Sequence, residues 1–270
     1  MRELRFGVVW LAVCLVLVGV WGVAGGSPLG AARGLASEAG GTAVDHSAFD
    51  AILKAYVDKE GLVDYGGLAR DVGGLDAYIR MLGRVDVERL SEAEHLALLI
   101  NAYNAFTLKL ITEHYRGGEL GSIMEIPEGR RWDHERWVVA GGTYSLNQIE
   151  HELIRPVFND ARIHFVLVCA AESCPLLRRF AYTGEALDEQ MELATRLSHS
   201  DQRWAKYDDR RRRLTLTKLY EWYGEDFVAE AGSVEAYAAR YMPDLKRALE
   251  AGRRPRVDYV DYSWALNAQE

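Results

Sequence analysis

Apolar positions along this chain change period from segment to segment, and the changes mark the elements. Phe49, Ile52, Leu53 and Tyr56 recur three and four residues apart, which predicts a helix over about 45–59. Gly61 ends it, and Leu62–Tyr65 reads as a short extended piece. Leu75, Tyr78, Ile79 and Leu82 repeat the helical spacing. Ser91 and Glu94 form a capping-box signature ahead of a long stretch, Ala93–Tyr115. There Leu96, Leu99, Ile100, Tyr103, Phe106, Leu110 and Ile111 leave little polar circumference, so this helix is expected to be central and buried.

Past the stop at Gly117-Gly118 the period shortens. Trp137–Ala140, Gly141-Gly142 and Thr143-Tyr144 read as a hairpin with a two-residue turn. Ser145 with Gln148 caps a further helix whose buried stripe is Leu146, Ile149, Leu153 and Ile154, and Pro156 limits it. Ile163–Val168 is apolar on both faces except at His164 and reads as a central strand. Cys174-Pro175 then reads as a helix start. Trp204–Tyr207 and Arg213–Thr217 flank a charged turn as a second hairpin. Thr217 caps a helix carrying Tyr220, Tyr223 and Phe227, and Val257–Trp264 is a strand-like tail. The fold class expected is α+β: one helix-rich globular domain, 45–267, around a small sheet.

The N-terminal end follows other rules. Arg2 and Arg5 precede an apolar run, Phe6–Ala24, with small residues after it, so residues 1–26 read as a secretory signal peptide. The run is also just long enough to serve as an uncleaved membrane anchor. Residues 27–44, rich in Gly and Ala, form a flexible lead-in. Both versions export the rest to a periplasm or cell surface. Nothing else in the chain calls for an integral membrane role.

Charge narrows the partners. The net charge is −8, and removing Arg2, Glu3 and Arg5 takes it to −9. That argues against nucleic acid as a partner. The basic run Arg210–Arg213 is expected to be a solvated turn. With Cys14 removed, Cys169 and Cys174 remain, and an even pair in an oxidising compartment suggests a disulfide.

The same two cysteines carry the sharpest chemical expectation. A thiol at a helix N-terminus beside an imidazole is a nucleophile, with Cys174 attacking and His164 or His151 as base. Backbone N–H groups around Ser173–Leu176 are then candidates for an oxyanion hole. Glu150 precedes His151, and on a helix the two point about 100° apart, so one faces the core and the other the site. Glu150 is alternatively an ion-pair partner of Arg155 or Arg162. Asn101 and Asn104 share one face of the apolar helix and either orient a catalytic histidine or tie loops to the core. His151, His164, Cys169, Cys174 and Glu150 are zinc-competent but lack close ligand spacing, so no metal is assigned. No cofactor is expected, because no phosphate-cradling glycine loop or nucleotide fingerprint is present. Trp132, Asp133, His134, Trp137, Tyr262 and Trp264 are aromatic and polar enough to line a saccharide or peptide groove.

Five segments in order carry a family resemblance: LLINAYNAFTLKL (98–110), YSLNQIEHELIRP (144–156), RIHFVLVCAAESCPLL (162–177), KLYEWYGEDF (218–227) and DYSWALN (261–267). They resemble the family called domain of unknown function 547, over most of residues 50–267. The resemblance implies that Asn101, Asn104, Glu150, His151, His164, Cys169 and Cys174 sit on family motif positions. It implies no activity. The chain departs from the family at Ala170, where glycine is usual.

Two functions from different classes follow. One is an exported thiol hydrolase or acyl transferase, papain- or transglutaminase-like in logic, acting on a peptide or cell-wall amide. The other is a non-catalytic envelope binding module with a structural Cys169–Cys174 bridge.

Overall fold

The computed structural model describes residues 43–115 and 117–269. The expected signal or anchor, 1–26, lies outside the described residues, as does the lead-in up to residue 42. The described residues all fall in one unit, Gly34–Glu270. It is an α+β, helix-rich fold with two small sheets.

Helices α1 (Ser47–Tyr56), α2 (Tyr65–Arg70) and α3 (Gly73–Leu82) lead into α4 (Glu92–His114). As its circumference requires, α4 is buried on nearly all sides. The Ser91 hydroxyl accepts from the Glu94 amide, as a cap should. The Glu94 carboxylate does not complete the box. It accepts instead from the amides of Gly184 and Val44, tying two distant segments to the start of α4.

Strands β1 (Trp137–Val139) and β2 (Gly142–Tyr144) form the expected hairpin, but its two-residue turn is Ala140-Gly141, one position earlier than the expected Gly141-Gly142. Ala140 and Gly141 both have positive φ, 53° and 76°, as a primed two-residue turn demands. The Ser145–Gln148 capping box is present in full. Helix α5 (Leu146–Gln148) passes into a π-helical turn, Ile149–Ile154, and on into α6 (Arg155–Phe158).

The segment expected to be the central strand is not a strand. Ala161–Phe165 is a 3-10 turn capped by Asp160, with irregular chain after it. The physical reason lies on α4. The Asn104 amide donates to the Val166 carbonyl at 2.9 Å and accepts from the Val168 amide at 2.9 Å, replacing the strand ladder with one side chain. An apolar run needs only burial on both sides, and a 3-10 turn followed by irregular buried chain satisfies that as well as a strand does.

No helix opens at Cys174-Pro175 either. The Cys174 amide closes a turn onto the Ala171 carbonyl at 3.0 Å, and the next helix, α7, runs Leu187–Ser200. The expected second hairpin forms from β3 (Ala205–Asp208) and β4 (Arg213–Leu216), and Arg210–Arg213 sits at its exposed turn. Two short helices follow, α8 (Leu219–Trp222) and α9 (Gly224–Ala231), broken at Tyr223 where one was expected. Then come α10 (Val234–Ala239), α11 (Pro243–Glu250) and β5 (Arg256–Tyr259), which pairs in parallel with β4.

Two hydrophobic clusters result. One surrounds α4, and the other gathers Phe165, Tyr220, Phe227 and Tyr237 beneath the three-stranded sheet. The C-terminal tail binds the first cluster together. Its residues bridge to Val63, Ser122 and Ala171, and Asn267 meets the Tyr65 hydroxyl, the Val63 amide and the Ala170 carbonyl. Gly61, at φ 77°, leaves no room for a side chain: a Cβ there would lie 2.9 Å from that of Leu176. Among the described residues no helix is long and apolar enough to cross a membrane.

Candidate functional site

The seam between the two clusters holds a cavity of about 190 Å³. Its floor is Tyr103 of α4, Glu150 of the π-helical turn and His164 of the 3-10 turn. One wall is the Cys169–Cys174 loop with Tyr262 and Trp264 of the tail, and the other is Trp222 and Tyr223 at the α8–α9 break, with Trp132 and Asn147 at the rim.

The π-helical turn resolves the Glu150–His151 pair. Glu150 is buried and faces the cavity, whereas His151 is exposed and its Nδ1 lies 2.9 Å from an Arg155 guanidinium nitrogen. Local widening of a helix is a frequent device for re-aiming a side chain at a functional site. Glu150 makes no ion pair among the described residues. Both expected partners are taken: Arg155 grips Asp226 through two nitrogens at 2.8 and 3.0 Å, and Arg162 pairs with Asp160 and Asp188.

Glu150 is surrounded by phenols. Burial first, and the Glu150 charge second, push the ionisation of Tyr103, Tyr223 and Tyr262 upward, so all three stay neutral at ordinary pH.

His164 is the second buried group at the cavity. Its Nε2 lies 2.7 Å from Asp226, and its ring stacks on Tyr223 with centroids 3.9 Å apart. Burial holds its pKa below the ordinary value, although the Asp226 bond works the other way. Asp226 is held far below the usual carboxylate range: burial alone would raise it, but the bonds from His164 and Arg155 outweigh that. As a strand, the segment would have placed His164 on one face with Val166 and Val168. In the 3-10 turn it points instead to the α8–α9 break, where Asp226 waits.

The two cysteines are joined in a disulfide with Cα atoms 6.3 Å apart. The Tyr262 hydroxyl lies 3.2 Å from the Cys169 sulfur and 3.4 Å from that of Cys174. The expected oxyanion hole is largely spent. The Ser173 amide donates to the Ser263 carbonyl and the Cys174 amide to Ala171, and Pro175 has no N–H. Ala170 adopts a left-handed φ of 65°, the conformation in which glycine is at ease, which accounts for the glycine usual at this position.

Asn101 and Asn104 lie outside the cavity. Each makes a two-way amide bridge to backbone, Asn101 with Tyr182 and Asn104 with Val166 and Val168. Both tie loops to α4, and neither bonds a histidine. Trp137 is buried on Phe106 at 4.9 Å, away from the cavity, and Asp133 bonds Asn147 at the rim. Sequence reasoning missed Tyr103, Trp222, Tyr223 and Asp226 as site residues. The signal for Asp226 was present in the KLYEWYGEDF segment, but nothing local pairs it with a histidine 62 positions earlier. No group of three or more metal-competent side chains converges among the described residues. A larger open depression lies beside Lys109 and Arg136, and those cations are already paired with Asp76 and Glu113.

The molecule is thus a helix-rich α+β domain with an aromatic cavity lined by a buried carboxylate, a histidine that bonds Asp226, and a disulfide. Residues 87–197 match the family described as "Protein of unknown function, DUF547", an uncharacterised domain family. The match takes in Asn101, Asn104, Glu150, His151, His164, Cys169 and Cys174, and stops short of Trp222, Asp226 and Tyr262. No curated protein and no solved structure matches the chain. The papain- or transglutaminase-like architecture is accordingly not confirmed.

Proposed function

We propose that this protein is an exported, non-catalytic binding module of the cell envelope, with its ligand cavity closed on one side by a structural disulfide. The observation that carries this reading is the Cys169–Cys174 bridge. It occupies the only sulfur that the sequence offered as a nucleophile. It also fixes the loop on which Tyr262 and the tail rest. Export rests on the Phe6–Ala24 segment and fits a bridge that persists in an oxidising compartment.

A second reading has one observation in its favour: Cys174 and His164, itself bonded to Asp226, line the same cavity. Once reduced, that thiol would serve a hydrolase or acyl transferase acting on a peptide or cell-wall amide.

Alkylation of native and of denatured protein, both unreduced, followed by mass measurement, separates the two. The expected result is no label on Cys169 or Cys174 before reduction. Rapid labelling of Cys174 at about pH 6 in native protein would overturn the binding module, since only a thiol with lowered pKa reacts there.

A further inference from the structure

We propose that the cavity takes an organic cation the size of a quaternary ammonium group, with Glu150 as its counter-charge and Trp222, Tyr262 and Trp264 as its walls. This names the ligand class for the binding-module reading and rests on it.

The first support is a buried carboxylate without an ion pair of its own. Glu150 is only 6% exposed, yet no cation lies within ion-pairing distance of it among the described residues. A buried carboxylate is costly unless paired. The nearby cation, Arg155, is committed to Asp226 through two nitrogens. His164, the other candidate, is bonded to Asp226 at 2.7 Å rather than to Glu150. The phenols around Glu150 supply neutral donors but no positive charge. A ligand bearing that charge completes the site.

The second support is the wall. Trp222 is 46% exposed although it is among the largest apolar side chains of the fold. It is not a stray surface residue. Its ring lies nearly parallel to that of Trp264, with centroids 6.0 Å apart, and Tyr262 sits 4.7 Å from Trp222 and 4.6 Å from Trp264. Trp132 extends the group behind Trp264 at 5.6 Å. Rings clustered above a carboxylate are the arrangement that attracts quaternary and alkylated ammonium groups, because each face carries negative charge density. A saccharide site also uses aromatic walls, and its hydroxyls can donate to a carboxylate, but a saccharide brings no positive charge to pair with Glu150.

Size is the third support. About 190 Å³ is below the roughly 300–1,000 Å³ of drug-sized pockets. It suits a compact head group whose remainder leaves past Trp222.

The test is a tryptophan-fluorescence titration of the mature, disulfide-intact protein. Choline chloride is the probe, 3,3-dimethyl-1-butanol its uncharged counterpart of the same shape, and sodium chloride the ionic-strength control. We expect saturable quenching by choline and binding of the alcohol at least about tenfold weaker. Glu150→Gln should lose about tenfold in choline affinity and Trp222→Ala about threefold or more, with far-UV circular dichroism unchanged. Should Glu150→Gln not fold, Trp222→Ala, exposed at the rim, still decides the matter. Equal binding of choline and the alcohol, choline affinity unchanged in both variants, or no saturable response would each overturn the proposal. An intact bridge with no choline response removes this ligand and keeps the binding module. A reactive Cys174 with tight choline binding keeps the ligand and removes the non-catalytic reading.

Discussion

Two buried histidines, His164 and His199, have surroundings that separate a site from a core. His199 of α7 belongs to the second cluster. Its Nδ1 is 2.7 Å from the Thr195 carbonyl, its Nε2 meets the Tyr220 hydroxyl, and Tyr241 stacks on it at 4.6 Å. Both nitrogens are satisfied by neutral groups, and burial lowers its pKa to about 4. His164 is just as buried, but its partner is a carboxylate and its ring borders a cavity. Burial alone therefore does not mark a functional histidine. What marks one is a charged partner held by a third group, here Arg155, together with open space on the other side. The cluster around His199 is closed and neutral. The seam around His164 and Glu150 is open and charged.

The largest effect that would break this contrast lies at neither histidine. If the 3-10 segment carrying His164 is placed by Asn104, Asn104→Leu should leave a buried carbonyl and a buried amide without partners. That costs about 2–6 kcal/mol, and Asn101→Leu should cost a similar amount at Tyr182. Urea denaturation measures both, and a neutral outcome would mean that α4 does not hold these loops.

Next is the acid response of the closed cluster. The folded pKa of His199 is depressed, so its contribution is fully present above the unfolded value of about 6.5 and is lost as pH falls toward about 4. About 3 kcal/mol should disappear across that window, and His199→Gln should flatten this part of the stability curve. An unchanged curve in the variant would show that His199 is not protected as described.

Smaller again is the loop. A bridge between positions five apart, Cys169 and Cys174, closes a very short loop, so Cys174→Ser should cost about 2 kcal/mol, read as a lowered melting point. The fold should survive, because Glu172 and Ser173 keep their backbone bonds to the tail and Ala171 keeps its bond from the backbone amide of residue 174.

The smallest effect is a titration shift, and it sharpens the contrast most. Asp226→Asn removes the bond that opposes burial at His164, so the His164 pKa should fall further while that of His199 stays put. Histidine ring resonances followed by NMR against pH would show it. Because the Asp226 pKa is itself depressed in the fold, its contribution is present above about pH 4 and fades below it. The variant should lose that acid dependence.

Much of the scaffold was legible beforehand because its signals are local. The α4 circumference, the Gly141 hairpin, the Ser145 capping box and the Arg210–Arg213 turn each depend on residues a few positions apart. The errors came where a local pattern had two tertiary solutions. An apolar run from Ile163 to Val168 fits a strand or a 3-10 turn, and one amide, Asn104, selected the turn. Cys174-Pro175 fits a helix start or a loop, and the tail from Ser263 to Leu266 pairs with Ala171, Glu172 and Ser173 just before it.

The sequence by itself determined the helix-rich class, the buried central helix and the residue types available for chemistry, because propensity, capping and period act over a few residues. Tertiary structure alone decided which of those residues meet. Glu150 reached the cavity through a π-helical turn, and His164 found Asp226 across 62 positions. The tail brought Tyr262 and Trp264 against the Cys169–Cys174 bridge. Contacts of that separation are fixed by how whole segments pack to bury apolar surface, and no local pattern encodes them.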